Sequence, residues 1–539
     1  MSDRNLFLRG AFILAVAGIV SKLMGSIYTL FLQNIIGDRG LGLYQMAYPI
    51  YSTLLLLSTA GIPVAVSKFV AEHMALGDYR GAKKVFRVAS VILFISGILC
   101  FFLLWFGAEL FARISGDEGA KFAIQALAPA LMVVPVMASI RGYFQGWQQM
   151  EPTAVSQVVE QLIRVATIIG AAWLLLRMGY SEEWAAAGAA FGAVTGAFAA
   201  LLVLVGYVWN NRVLFRHDVQ MPNRVPPQSN RTVIKKLIMY AIPVSLGALV
   251  VPFMNNVDVI TVANMLKQAG YSQDQATELF GLLSGRAFKL MMLPATIATA
   301  IGVALMPAIA GALAVGEKRV AYQRIELALR WTIIIGLPAS VGLFLLAEPI
   351  DITLFKDSSG TPAIMAISFA TLFSSLQLTT TAILQGIGYV YRPVRNLLIG
   401  GVFKLIFNIW LVPKYGIEGA AVSTVLSFSI AALLNFWDIN RLSGLSFNWR
   451  LLLWGPSIAT FLMGVAVFAS LRQMGPYFFT VLPERLAGAC LTLAVILFAS
   501  AVYGIALLAS GSLRKEDIRS IPRIGQKLAD LFAKIGLVR

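Results

Sequence analysis

Residues 77–112 read GDYRGAKKVFRVASVILFISGILCFFLLWFGAELFA. The stretch has two parts. Arg80, Lys83, Lys84 and Arg87 crowd its start, and no charge interrupts Val88–Ala108. A helix rises about 1.5 Å per residue, so roughly 20 apolar residues cross the hydrocarbon core of a bilayer. Lipid offers backbone amides no partner, so such a run must close its hydrogen bonds within a helix. Basic flanks belong on the cytoplasmic side. The stretch therefore predicts a membrane-spanning α-helix that leaves the cytoplasm at Arg87.

The rest of the chain repeats this pattern. Of its 539 residues 58% are hydrophobic and 13% charged, with a mean hydropathy of +0.78. A soluble domain carries about 25% charged residues. Apolar runs at Ile163–Leu176, Ala185–Val208 and Leu486–Leu508 fit or nearly fit a span. Fourteen spans are predicted: 11–36, 43–66, 88–112, 121–143, 154–177, 184–209, 234–263, 284–312, 328–347, 362–386, 394–412, 417–440, 451–472 and 485–509. The fold class is thus an all-α polytopic membrane protein. The first run reaches Ile36 without a small-residue cleavage site, so it reads as a span and not as a signal peptide.

Charge supplies the orientation. Connections taken alternately from the N-terminus hold 29 of the 43 Lys and Arg. This bias places both termini in the cytoplasm. It also accounts for the net charge of +17 without nucleic acid, because the basic clusters lie between spans.

The chain also echoes itself about 240 residues on. Pro49 and Pro63 recur as Pro294 and Pro307. GDYRGAKK at Gly77 recurs as GEKRVAYQ at Gly316, and Gln145-Gly146 as Gln385-Gly386. Arg164 and Lys404 stand at the same distance beyond those glutamines. The offset covers six spans, an even number, so the halves are expected to be parallel repeats. The expected organisation is an N-lobe at 1–210, a cytoplasmic linker at 211–233, a C-lobe at 234–440, two extra spans within 441–512 and a tail at 513–539. In the tail, Ile524, Leu528, Leu531, Phe532 and Ile535 recur at helical spacing and suggest an interfacial amphipathic helix.

Charges inside spans are costly and therefore mark function. Lys22 lies mid-way along the first span. Glu160 and Arg164 stand one turn apart in the fifth. Asp258 lies in the seventh beside Asn255 and Asn256. Arg286 and Lys289 open the eighth, and Lys404 lies in the eleventh. Cations outnumber anions, which points to a cavity that accepts an anionic substrate. Structural readings stand beside this one: Glu160 with Arg164 as a helix-packing pair, Lys289 snorkelling to the surface, and Asp258 as a hydrogen-bonded core acid or a cation-coupling site. Prolines crowd several spans, as at Pro129, Pro135, Pro243 and Pro252, and suit bending gates or kinked helix contacts.

Signals of catalysis are weak. Cys100 and Cys490 sit in apolar runs, and His73 and His217 fall in connections without metal-ligand spacing. Gly311 and Gly316 have phosphate-loop spacing, but Glu317 stands where the lysine is needed. The chain therefore reads as no enzyme, with no metal and no cofactor. Its transport would draw on a coupling ion, Na+ or H+, or on the membrane potential.

Four segments carry a resemblance: LRGAFILAVAGIVSKLMG from Leu8, GLYQMAYPIY from Gly42, GIPVAVSKFVAEHMALGD from Gly61, and RGYFQGWQQMEPTAVSQVVEQLIR from Arg141. Through them the chain resembles the multidrug/oligosaccharidyl-lipid/polysaccharide exporter superfamily. Within it, the chain is similar to the polysaccharide and lipid II flippase branch that includes stage V sporulation protein B. The resemblance implies two six-helix lobes, alternating access and a substrate held by cavity cations. That substrate would be an undecaprenyl-pyrophosphate-linked sugar, either a peptidoglycan precursor or another oligosaccharide. Lys22 would stand at the first of these cations, and Arg286 or Lys289 near the one that opens the second lobe. The protein is expected to work as a monomer among membrane lipids, with the lipid-linked glycan as its partner. A cation-coupled multidrug exporter of the same fold, relying on acids such as Asp258, is the alternative.

Overall fold

In the computed structural model, residues 3–59, 61–210, 228–443 and 450–511 are described. The tail at 513–539, most of the linker with His217, and the side chain of Lys22 lie outside the described residues. Among those described, the chain is helical throughout and contains no strand. The elements are α1 (Asp3–Thr59), α2 (Ile62–Ala75), α3 (Tyr79–Phe106), α4 (Ala108–Ser115), α5 (Ala120–Leu127), α6 (Ala130–Gly146), α7 (Glu151–Arg177), α8 (Glu182–Asn210), α9 (Asn230–Gln268) and α10 (Gln273–Gly281). A π-helical turn (Leu282–Ala287) then leads into α11 (Phe288–Ala314), α12 (Lys318–Leu345), α13 (Ala347–Phe355), α14 (Thr361–Ile367), α15 (Ala370–Gly386) and α16 (Tyr391–Ser443). A second π turn (Arg450–Trp454) precedes α17 (Gly455–Val481) and α18 (Glu484–Ala509).

The opening stretch forms α3. Asp78 caps it by accepting from the Gly81 amide. Its buried face is Ala82, Val85, Ala89, Leu93, Gly97 and Leu104. Val91, Phe94, Ile95, Leu99, Phe102 and Phe106 are exposed on the other side. In water that stripe would be an aggregation hazard; it suits contact with lipid tails.

Ten helical segments among the described residues are long and apolar enough to cross a membrane. Two of them, Ile27–Ala75 and Tyr391–Ser443, each overlap two of the fourteen expected spans. Positive-φ glycines divide them: Gly37 at φ 69° and Gly416 at φ 60°. Side chains rarely adopt that conformation, so each glycine ends one helix and lets the next begin at a new angle. The expected spans at 234–263 and 284–312 fall on α9 and α11, outside those ten.

The chain divides into two compact units, Met1–Gly281 and Leu282–Arg539. In the first, α9 and α10 pack against α1 at close range. A Cβ on Gly42 would lie 2.2 Å from the Thr277 carbonyl oxygen, and one on Gly281 would lie 2.1 Å from that of Asp38. Asn256 on α9 donates to the Pro49 carbonyl (3.2 Å) and to Thr53 Oγ1 (2.7 Å) on α1. The boundary between compact units therefore falls two helices later than the lobe boundary expected at 233. In the second unit, α17 and α18 cover α12 and α13 through Leu346, Met463, Val467, Leu491 and Val495.

The sequence echo has a backbone counterpart. Ala130–Gly146 recurs 240 residues on as Ala370–Gly386, and Tyr79–Phe106 is matched by Lys318–Leu345. Positive φ recurs in the same register, at Gly77 and Gly316, Gly116 and Lys356, and Gln148 and Gly388. Asp117 and Asp357 each accept from the amide two residues on, Gly119 and Ser359. Each unit thus repeats the other's turns as well as its helices.

Candidate functional site

In the first unit, two charges of opposite sign stand one turn apart on α7. Gly188, Gly192 and Gly196 form a small-residue stripe on α8 that lets α7 approach closely. A Cβ on Gly192 would lie 2.8 Å from the Arg164 carbonyl oxygen, and one on Gly196 would lie 2.7 Å from that of Glu160. The backbone that carries Glu160 and Arg164 is thereby pinned.

Their side chains form a triad with α6. Glu160 Oε1 accepts from Arg164 Nη2 at 2.6 Å, and Oε2 accepts from Arg141 Nη2 at 3.0 Å. Arg141 Nε also donates to Ser156 Oγ at 2.9 Å. The three charged side chains are only 12–17% exposed, so two cations share one shielded anion. Arg141, near the end of the expected fourth span, was missed as a site residue. Its ion pair crosses the α6–α7 turn, which no helical spacing reveals.

Tyrosines face this triad. Tyr44, Tyr48 and Tyr51 follow each other along α1, with Tyr44 stacked on Tyr48 at 5.9 Å. The Tyr28 and Tyr44 hydroxyls meet at 3.0 Å. Arg164 lies within electrostatic reach of Tyr44, Tyr48 and Tyr51. The spacing of three and four residues in 44–51 was the available signal for this face. Arg164 Nε and the Tyr51 hydroxyl are both buried without a hydrogen-bond partner among the described residues.

The other predicted residues are dispersed. Asp258 is buried on α9, with Asn255 and Asn256 half-buried beside it. Asn256 ties α9 to α1, as described above. In the second unit, Lys289 is half-buried on α11, and among the described residues no hydrogen bond or ion pair engages it. Lys404 is fully buried in α16. Gly400 takes the place, one turn earlier, that Glu160 holds relative to Arg164, so the second repeat lacks that carboxylate.

Arg286 lies outside these groups. It is fully buried in the π-helical turn, and its Nη1 donates to Asp351 (3.1 Å) and Asp357 (2.8 Å). Its Nη2 donates to the other Asp357 oxygen at 2.9 Å, and the guanidinium lies 4.8 Å from the Phe355 ring centre. Burial pushes the Asp351 carboxyl up to about 6, against the pull of Arg286. Asp357, also partly desolvated, is nevertheless held below its usual value by hydrogen bonds from Arg286 and Ser359. Among the described residues, no group of three or more His, Cys, Asp or Glu is placed to hold a metal.

Helices of membrane length, with buried cations and turns repeated at a fixed offset, define a polytopic α-helical membrane protein. Comparison with solved structures agrees. A lipid II flippase MurJ in an inward closed conformation superposes with a TM-score of 0.62 at 15% identity, covering 91% of this chain and 98% of the other. An inward-facing multidrug resistance MATE family transporter gives 0.63 at 17%, covering 81% and 98%. The chain belongs to the polysaccharide biosynthesis protein family, which matches residues 7–313. It is 33% identical over 461 residues to the lipid II flippase MurJ of Bacillus subtilis, covering 82% of this chain and 84% of that protein. It is 28% identical to stage V sporulation protein B of the same organism, covering 97% and 99%. The chain is a membrane flippase or exporter of that family.

Proposed function

We propose that this protein carries a lipid-linked glycan with a diphosphate bridge from the cytoplasmic to the outer leaflet, for envelope polysaccharide synthesis. The observation that carries this reading is the shielded surplus of positive charge in the first unit, where Arg141 and Arg164 share the single carboxylate of Glu160. A diphosphate offers several acceptor oxygens, and guanidinium forks bind such groups through charge-assisted hydrogen bonds. Lys289 is the cation of the second unit best placed to act on a ligand, because no described side chain engages it. Lys22, Arg286 and Lys404 complete the set to be tested, with Glu160, Asp258, Asn255 and Asn256 in supporting or coupling roles.

The lobes would work by alternating access, with both termini in the cytoplasm of a bacterial cell. The membrane potential favours this direction. Carrying one net negative charge outward gains about 2.3 kcal/mol per 100 mV. The names of the flippase relatives support a lipid-linked substrate; the drug exporter remains the alternative on the same fold.

Depletion in cells tests the reading. A diphosphate-linked lipid glycan should accumulate on the cytoplasmic leaflet. Lys22→Gln and Lys289→Gln should each reduce complementation at unchanged protein abundance, and the arginine replacements should retain it. Normal transport in both glutamine variants, with loss only in Asp258→Asn, would transfer the assignment to the cation-coupled exporter.

A further inference from the structure

Glu160 has two features of a ligand. It gives one oxygen to each of two arginines, at 2.6 and 3.0 Å, as adjacent oxygens of a phosphoryl group would. Each arginine spends one Nη on it, although a guanidinium has five N–H donors. Arg141 uses its Nε on Ser156. Among the described residues, Arg164 Nε has no hydrogen-bond partner, and neither has the Tyr51 hydroxyl beside it. Buried polar atoms left without partners are rare and commonly mark an absent water or ligand. The cluster is therefore occupied by an internal carboxylate yet retains unused donors.

We propose that Glu160 is an exchangeable counter-anion, which holds Arg141 and Arg164 in the empty carrier, yields them to the diphosphate of the substrate, and reclaims them to release it. The inference rests on the reading of this protein as a carrier of a diphosphate-linked lipid. Charge balance supports it. Within this cluster, the two arginines balance a doubly charged diphosphate diester only when Glu160 has left. All four groups together would bury an uncompensated negative charge, which is expensive in a shielded site. An empty carrier without Glu160 would bury two unpaired arginines instead.

The setting allows the exchange. Glu160 is 12% exposed, so its carboxylate is not sealed inside the protein. Its backbone is fixed by Gly196 of α8, so the movement is confined to the side chain. Among the described residues, the charged or titratable groups that face it are Arg141 from α6, Arg164 from its own helix and Tyr51 from α1, while Gly196 of α8 packs on its backbone. No other described carboxylate is paired with either arginine, so none can replace it in this role.

The test is binding of a short-chain prenyl-diphosphate N-acetylglucosamine to the purified full chain in nanodiscs, with its dissociation rate. Glu160→Gln keeps the shape but removes the competing charge. It should bind the probe about tenfold tighter, the worth of one charge-assisted hydrogen bond, and release it correspondingly more slowly. It should also fail to complement depleted cells. Glu160→Asp retains a carboxylate too short to span both arginines, so it should shift affinity the same way by less and retain partial turnover. Arg164→Gln should lose binding. If Glu160 is instead a permanent brace, both variants will bind the probe more weakly or unchanged, which overturns the exchange but leaves the transport reading intact. A folded wild-type protein that does not bind the probe at all would remove both.

Discussion

Arg286→Met tests whether the ion-pair cluster of the second unit holds the fold or is free to serve a ligand. Arg286 is fully buried, makes three hydrogen bonds to two carboxylates and lies over the Phe355 ring. Removing one partner of a buried pair typically costs about 3–5 kcal/mol, because the other charge is stranded. The lower end of that range applies here. Asp357 is 42% exposed and can be rehydrated, and methionine keeps the apolar contact with Phe355. Asp351 is fully buried and cannot be rehydrated.

The pH dependence carries the sharper signature. With Arg286 present, burial already holds the Asp351 carboxyl at about 6. Without the arginine its downward pull is lost, so the carboxyl moves higher. A raised folded value means that stability is present at low pH and is lost as pH rises through that value. In the wild type this loss is complete just above pH 6, and in the variant it continues beyond. The deficit of Arg286→Met should therefore be smaller at pH 5.5 than at pH 8, as measured by denaturation in mixed micelles. Adding Asp351→Asn should recover most of the loss. A variant as stable as wild type, with no pH dependence in the difference, would refute the structural reading of this cluster. It would then return Arg286 to the ligand-binding candidates.

Other predictions follow from close approaches and from charge. Gly196→Val should destabilise the protein by about 1–3 kcal/mol through overpacking, because its Cβ would lie 2.7 Å from the Glu160 carbonyl; a thermal melt equal to wild type would contradict the α7–α8 contact. Ser272 and Ser229 are both exposed, on opposite ends of α9. A cysteine at 272 should react with an impermeant reagent from outside the cell, and one at 229 only after permeabilisation; the reverse pattern would invert the proposed orientation. Arg141→Gln should impair transport as severely as Arg164→Gln, and wild-type complementation by it would remove α6 from the site.

The legibility of this protein divides along physical lines. The helix at Val88–Ala108 was plain because hydropathy is a local property. The turns at Gly77 and Gly316 were visible as echoed motifs. Glu160 with Arg164 was readable because a helix brings residues four apart onto one face. Arg141 was not, because its approach to Glu160 depends on how α6 and α7 cross. Arg286 looked like a free cation, since Asp351 and Asp357 lie more than sixty residues away. The break between the expected spans 394–412 and 417–440 was also legible, and it falls at Gly416, where a positive φ ends one helix and starts the next.

The sequence alone determined an all-helical membrane protein, its internal repeat and a surplus of cations within its spans. Those follow from hydrophobic length, from the need to satisfy backbone hydrogen bonds in lipid, and from charge counted along the chain. Tertiary structure alone decided which cations are engaged: Arg286 by two aspartates, Arg141 and Arg164 by one shared glutamate, Lys289 by no described side chain. Pairing depends on interatomic distances of a few ångströms between separate helices, and those are set by glycine-mediated approach and by kinks that a linear pattern does not encode.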